Sequence, residues 1–377
     1  MSMQNNKQTR SLIPERIREA REARGYTLEA FADALGVSKQ AVAQFETGIT
    51  APAPDNIAAI IRLTEQPPSF FTVDRTRSAE RYRMPFWRSL KRMERPHRLR
   101  VARRLEWARD IVDYVEQFIE LPQVNLPQID FDPDKATDED VERAAERLRD
   151  AWGLGRGPIT ALSRVLEANG VILICESVDC EDMDAVSRWQ VGRPFILYSA
   201  EVESGPRCVF NLAHELGHIL LHSSVEVDSK NLDSIETQAN RFAGAFLLPR
   251  ETFAREVVST SIRYFTYLKE RWGVAIAAMV YRCKDLQILS KNQHGYLMRQ
   301  MHAQSIRNRE PLDDKFHPPR PMVLNEALQM LIKHSVQTKA EIDGALSLNT
   351  KDVESICGAE AGFLDSRVVP FAIRRKD

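Results

Sequence analysis

FNLAHELGHILLH, Phe210 to His222, decides how the middle of this chain folds. Its apolar residues Leu212, Ala213, Leu216, Ile219 and Leu220 fall on one side of a helix, while Asn211, His214, Glu215, His218 and His222 gather on the other. A spacing of four places His214 and His218 one turn apart, so that both imidazoles reach a single tetrahedral ion at about 2.0 to 2.1 Å. Glu215 lies beside them without being a ligand by position, and suits removal of a proton from metal-activated water. A core helix with satisfied histidines would explain one such histidine. It does not predict a pair four residues apart enclosing an acid.

A catalytic zinc site needs a third protein ligand and an open position. Residues 233–249 are predicted to form a helix whose apolar face carries Ala239, Phe242, Ala243 and Phe246, stopped at Pro249. On its polar side Glu236 and Asn240 stand one turn apart, Glu236 placed to ligate and Asn240 to orient a histidine from behind. Glu226 and Asp228 are the alternative third ligands. Upstream, Thr137 and Asp140 read as the capping box of a helix running to Ala151, and a second helix spans Leu162 to Ala168. The apolar runs 171–175 and 194–198, rich in β-branched residues and bounded by turn formers, read as strands. The order around the motif is therefore helix, strand, strand, helix.

The segments His214-Glu215-Leu216-Gly217-His218, Glu236-x-x-Ala239-Asn240-x-Phe242-Ala243 and Leu247-Leu248-Pro249 together resemble the ImmA/IrrE family of bacterial and phage metallopeptidases. Ala185-Val186-Ser187-x-Trp189, Arg193 to Leu197, Arg207-x-x-Phe210-x-x-Ala213 and, later, Asp285 to Met298 are similar to the strand and helix-entry segments of that family, so the likeness covers roughly residues 140 to 300. It implies a zincin-like domain that binds Zn2+ through His214, His218 and Glu236, uses Glu215 as general base and cleaves a protein substrate. Arg207, Ser187 and Tyr198 are the candidates for stabilising an oxyanion, and each has an equally good structural reading.

The N-terminal region carries a different signature. Ile13 to Gly25 is predicted as a first helix, Thr27 caps a second over Leu28 to Leu35, Gly36-Val37 turns, and Ser38 caps a third over Lys39 to Glu46. Two short helices about a glycine turn match helix-turn-helix geometry. Gln40 and Gln44 suit bidentate contact with adenine, and Ser38 and Lys39 suit phosphate or guanine. The pattern Leu28-x-x-Phe31-Ala32-x-x-Leu35-Gly36-Val37-Ser38-x-x-Ala41-Val42-x-x-Phe45-Glu46-x-Gly48 resembles Xre/Cro-type domains, with Phe45 where tryptophan is usual. That resemblance implies binding to a double-stranded DNA operator, usually as a homodimer.

Composition sets the frame for both halves. The 377 residues are 43% hydrophobic and 28% charged, and 52 Lys+Arg against 53 Asp+Glu exclude a generally basic nucleic-acid-coating protein. Arg75 to Arg109 is locally basic, either extending phosphate contact or forming a solvated helix face. Five cysteines without a C-x-x-C pair argue for free thiols, and with no apolar leader or membrane span the chain is expected in the cytoplasm. The expected fold is mainly α with a small β-sheet (α+β). Its expected parts are a helix-turn-helix domain at 1–68, a basic linker and long helix at 69–135, a zinc metallopeptidase domain at 136–250 and a helical C-terminal region at 251–377. In that last region, 339–358 has a second helix-turn-helix look, poor in cations and better suited to protein contact. Two functions fit. In one, a DNA-binding transcription regulator also cleaves a partner such as a repressor or antitoxin in a stress or phage response. In the other, a transcription factor or antitoxin uses a peptidase-like domain to sense a ligand or partner without turnover.

Overall fold

A computed structural model describes residues 11–74, 93–177, 183–223, 225, 231–306 and 309–365. The fold is mainly helical with one three-stranded sheet. The described residues fall into two compact units, one taking in those up to 74, 106–119 and 324–365, the other those at 93–105 and 120–323.

The first unit opens with α1 (Pro14–Ala23), α2 (Leu28–Leu35), α3 (Lys39–Thr47) and α4 (Pro54–Thr64). Capping sets their boundaries. The Thr27 side chain accepts from Ala30 N at the start of α2, and Ser38 accepts from Ala41 N at the start of α3. Gly36 ends α2 in the left-handed region at φ 70°, which an L side chain would resist. Ile17, Ala20, Phe31, Ala32, Val42, Phe45 and Ile60 fill the centre, so Phe45 serves as a packing residue. Beneath them, Arg21 Nε donates to Glu46 Oε1 at 2.5 Å, both side chains almost fully buried.

The same unit holds α14 (Val323–Lys333) from Leu324 onward, α15 (Lys339–Leu346) and α16 (Thr350–Cys357). Arg24 grips the Asp352 carboxylate with both terminal nitrogens at 2.8 Å, and Gln66 donates to the same carboxylate at 2.6 Å. The tail segment that resembles a second helix-turn-helix thus directs Asp352 to residues just past the ends of α1 and α4 of its own chain.

The second unit is built around the sheet, ordered β1-β3-β2, from β1 (Ile172–Glu176), β2 (Ala185–Gln190) and β3 (Arg193–Ser199). β1 runs parallel to β3, with Ile172 opposite Phe195, and β2 runs antiparallel, with Val186 opposite Leu197. The order of two strands read from apolar runs is corrected here: a third, β2, precedes β3 in a hairpin, where the family resemblance likens Ala185 to Trp189 to a strand segment. It lacks a continuous apolar run, because Ser187, Arg188 and Gln190 are buried polar residues on it. Its turn is also disguised, since Val191 and Gly192 both adopt positive φ, and valine is a rare occupant of such a turn.

Two helices pack on the sheet, α7 (Leu162–Ala168) and α8 (Gly205–Leu221), while α9 (Leu232–Leu247) packs against α8 and against α6 (Asp138–Ala151). Thr137 and Asp140 form the capping box of α6. Leu173, Ile196, Leu212, Ala213, Leu216, Phe242, Ala243 and Phe246 belong to one buried cluster. α8 and α9 touch closely at Gly217, where a Cβ would lie 3.0 Å from the Phe242 ring. The unit continues through α10 (Arg250–Glu256), α11 (Ile262–Trp272), α12 (Ile276–Asp285) and α13 (Lys291–Ala303). Arg282 on α12 donates to both oxygens of the buried Glu142 at 2.6 and 2.8 Å and to the Leu248 carbonyl at 3.0 Å, tying α12 to α6 and to the end of α9. α5 (Arg95–Val115) is the long helix expected within 69–135, and Val101, Leu105, Ala108, Val112 and Val115 are buried along it. No described helix is long and apolar enough to cross a membrane.

Candidate metal centre

Helical periodicity brings three side chains from two helices to one point. On α8, His214 and His218 share a face, and their Nε2 atoms lie 3.0 Å apart. On α9, Glu236 presents Oε2 at 3.6 Å from His214 Nε2 and Oε1 at 3.6 Å from His218 Nε2. All three donor atoms lie within 4.8 Å of one another. Ligands bonded tetrahedrally to zinc at about 2.0 to 2.1 Å stand about 3.3 Å apart, so the observed spacings need adjustments of only a few tenths of an ångström. Two imidazoles and one carboxylate are also a donor set that zinc takes in hydrolytic sites.

Electrostatics favour the ligating forms of the histidines. Burial, then the neighbouring His218, pushes the His214 pKa down to about 3, and burial holds His218 well below its ordinary value. Both rings are therefore neutral and carry a lone pair. His214 Nδ1 faces Asn240 Oδ1 at 3.1 Å, and because an amide oxygen only accepts, Nδ1 holds the proton and Nε2 is bare.

Glu215 is buried between α8 and the sheet. Desolvation raises its pKa to about 8, with hydrogen bonding from Ser187 on β2 opposing the rise. Its Oε2 has no hydrogen-bond partner among the described residues, an orphaned buried acceptor of the kind that a bound water or substrate group satisfies. A cation held by the two histidines would lower this pKa again through its positive charge.

The remaining predicted residues divide clearly. Ser187 is buried beside Glu215, whereas the Arg207 guanidinium pairs with Asp184 at 2.7 Å and the Tyr198 hydroxyl donates to the Pro319 carbonyl at 2.6 Å. The donors of the last two are thus already directed elsewhere. Glu226 and Asp228 lie outside the described residues, as do 75–92 of the basic stretch. The described end of that stretch is structural in part: Arg104 is buried and donates from Nε to Glu176 at 2.8 Å. On α3, Lys39 and Gln40 are exposed, Gln44 is half-buried and receives a bond from Thr50 at 3.3 Å, and the Ser38 oxygen is engaged in its cap.

Two residues near the centre went unassigned from sequence. His222 is fully buried with its Nδ1 3.1 Å from His218 Nδ1, and Gln238 Oε1 stands 2.9 Å from His222 Nε2. The signal was a third histidine continuing the spacing of four. Alongside the centre, a cavity of about 970 Å³ is lined by Phe210, Asn211, Asn240, Arg241, Tyr281 and His302 among others. Asn211 Nδ2 in its wall is buried without a hydrogen-bond partner among the described residues. Among the described residues, Cys175, Cys208 and Cys283 are free thiols.

Comparison with known families agrees with both halves of this geometry. A helix-turn-helix model matches residues 17–71, and a model described as the IrrE N-terminal-like domain matches residues 167–284. No curated protein matches the chain. The two matches give the architecture of an Xre-type helix-turn-helix domain fused to an IrrE/ImmA-like peptidase domain.

Proposed function

We propose that this fusion of a helix-turn-helix domain to an IrrE/ImmA-like domain is a DNA-binding transcription regulator of the cytoplasm that also cleaves a partner protein, such as a repressor or antitoxin. The reading is carried by one observation: His214, His218 and Glu236 converge with neutral imidazoles and a carboxylate, while Glu215 waits beside them with a free oxygen. His214, His218 and Glu236 would hold the zinc. When bound there, the ion supplies Lewis acidity toward water and toward a peptide carbonyl. Glu215 takes the proton from the attacking water and returns it to the leaving amine, a double role matched by a carboxyl whose pKa can move near neutrality. Asn240 keeps His214 in the ligating tautomer, and Ser187 holds Glu215 in place. At the other end, Ser38 and Lys39 would position α3 on phosphates or guanine while Gln40 and Gln44 reach adenine edges, with a homodimer reading paired half-sites of an operator.

The test is to incubate the full chain with the product of the gene beside its own, with and without a zinc chelator. Chelator-sensitive cleavage is expected, and Glu215→Gln should retain zinc while losing cleavage by at least about 100-fold. Undiminished cleavage by that variant would remove Glu215 from the mechanism. A second reading, sensing without turnover, is favoured by the adjoining 970 Å³ cavity, which lies within the usual size of a small-ligand site. Under it, the same incubation yields no cleavage.

A further inference from the structure

His222 is the third histidine along α8, fully buried, with its ring edge-on to Phe131. From it a line of hydrogen bonds leads away from the metal centre: His222 Nε2 to Gln238 Oε1 at 2.9 Å, and Gln238 Nε2 to the Pro133 carbonyl at 2.8 Å. In the other direction, His222 Nδ1 is 3.1 Å from His218 Nδ1.

The directions of these bonds follow from the far end. A backbone carbonyl only accepts, so the Gln238 amide nitrogen faces Pro133 and its oxygen faces His222. That oxygen also only accepts, which puts the His222 proton on Nε2 and, in a neutral ring, leaves Nδ1 bare. A bare Nδ1 requires a donor opposite, so His218 carries its proton on Nδ1. His218 Nε2 is then unprotonated where it faces His214 and Glu236. The reverse assignment would put a proton on Nε2, directed at the point where the three donor atoms converge.

We propose that His222 and Gln238 form a relay, anchored on the Pro133 carbonyl, that fixes His218 in the tautomer whose Nε2 lone pair is open to a divalent cation. The proposal rests on the metal-centre reading above and adds two positioning residues to it. Asn240 does the equivalent for His214 in a single step. His218 is deeper, at 1% exposure, and this arrangement orients it through His222.

The experiment has two arms on the full chain. In the first, long-range proton–nitrogen correlation spectra of histidine-labelled protein, metal-free and zinc-loaded, report which ring nitrogen carries hydrogen. His222 is expected as the Nε2–H tautomer in both states, and a Nδ1–H tautomer would overturn the relay. In the second, zinc affinity is read by competition with a chromophoric chelator. His222→Phe, which keeps the ring against Phe131 but accepts no bond, is expected to weaken zinc binding roughly 10- to 100-fold, and His222→Asn, whose side-chain oxygen accepts from His218, to recover most of it. Equal affinity of His222→Phe and the unaltered chain would also overturn the relay. If His222→Phe does not fold, the spectra of the unaltered protein still decide. Failure of the unaltered chain to bind zinc would defeat the underlying metal-centre reading, and the metal-free spectra keep the two failures distinguishable.

Discussion

At the scale of single residues, the centre depends on which nitrogen of each ring carries a proton. Asn240 decides this for His214, through a single 3.1 Å contact to Nδ1. Asn240→Ala is expected to weaken zinc binding roughly 10- to 100-fold without altering the helical content, measured by chelator competition alongside circular dichroism. Unchanged affinity would show that the His214 ring is held by packing alone. Much of this residue-level picture was legible beforehand, because helical spacing fixes which side chains share a face: His214 with His218, and Glu236 with Asn240. The role of His222 was not, since its meaning depends on Gln238 from another helix and on Pro133 from the linker before α6.

At the scale of elements, α12, α6 and the end of α9 are tied together by contacts that sequence spacing does not reveal. Arg282 and Glu142 are separated by 140 residues and both lie buried, so their pairing is a property of the folded chain. Arg282→Ala would remove the main partner of the Glu142 carboxylate and the Nε–H that the Leu248 carbonyl accepts, with Arg241 at 3.4 Å the nearest remaining cation to Glu142 among the described residues. The expected cost is about 3 to 5 kcal/mol in urea unfolding, and a loss below about 1 kcal/mol would contradict the assigned role. Gly217 gives a subtler case. Alanine there gains helix propensity, but its Cβ meets Phe242, which is fully buried and stacked on Phe246 and so has little room to yield. Gly217→Ala is expected to lower stability by about 1 kcal/mol net, against a gain of similar size if the ring can move. The helices bounded by strong caps, such as α2 between Thr27 and Gly36 and α6 at Thr137, were legible from sequence. β2 was hidden from the apolar pattern, though not from the family resemblance, because its buried polar residues and Val191 turn break the usual strand and hairpin signals.

At the scale of the molecule, a helix-turn-helix domain and an IrrE/ImmA-like domain sit in one chain. Altering one should leave the other intact. Gln44→Ala is expected to cost about 1 to 3 kcal/mol at its operator, measured by titration at fixed salt, with zinc content unaffected. Equal loss on operator and unrelated DNA would assign Gln44 to general backbone contact instead. The tail was readable as helices but not as part of the N-terminal unit, since the grip of Arg24 and Gln66 on Asp352 spans most of the sequence. The most direct test of the central claim is metal analysis of the full chain after zinc loading and exhaustive dialysis, beside His218→Ala, Glu236→Ala and Glu215→Gln. Stoichiometric zinc is expected in the unaltered chain and in Glu215→Gln, with strong loss in the other two. Zinc retained equally by all four would contradict a site built from His214, His218 and Glu236.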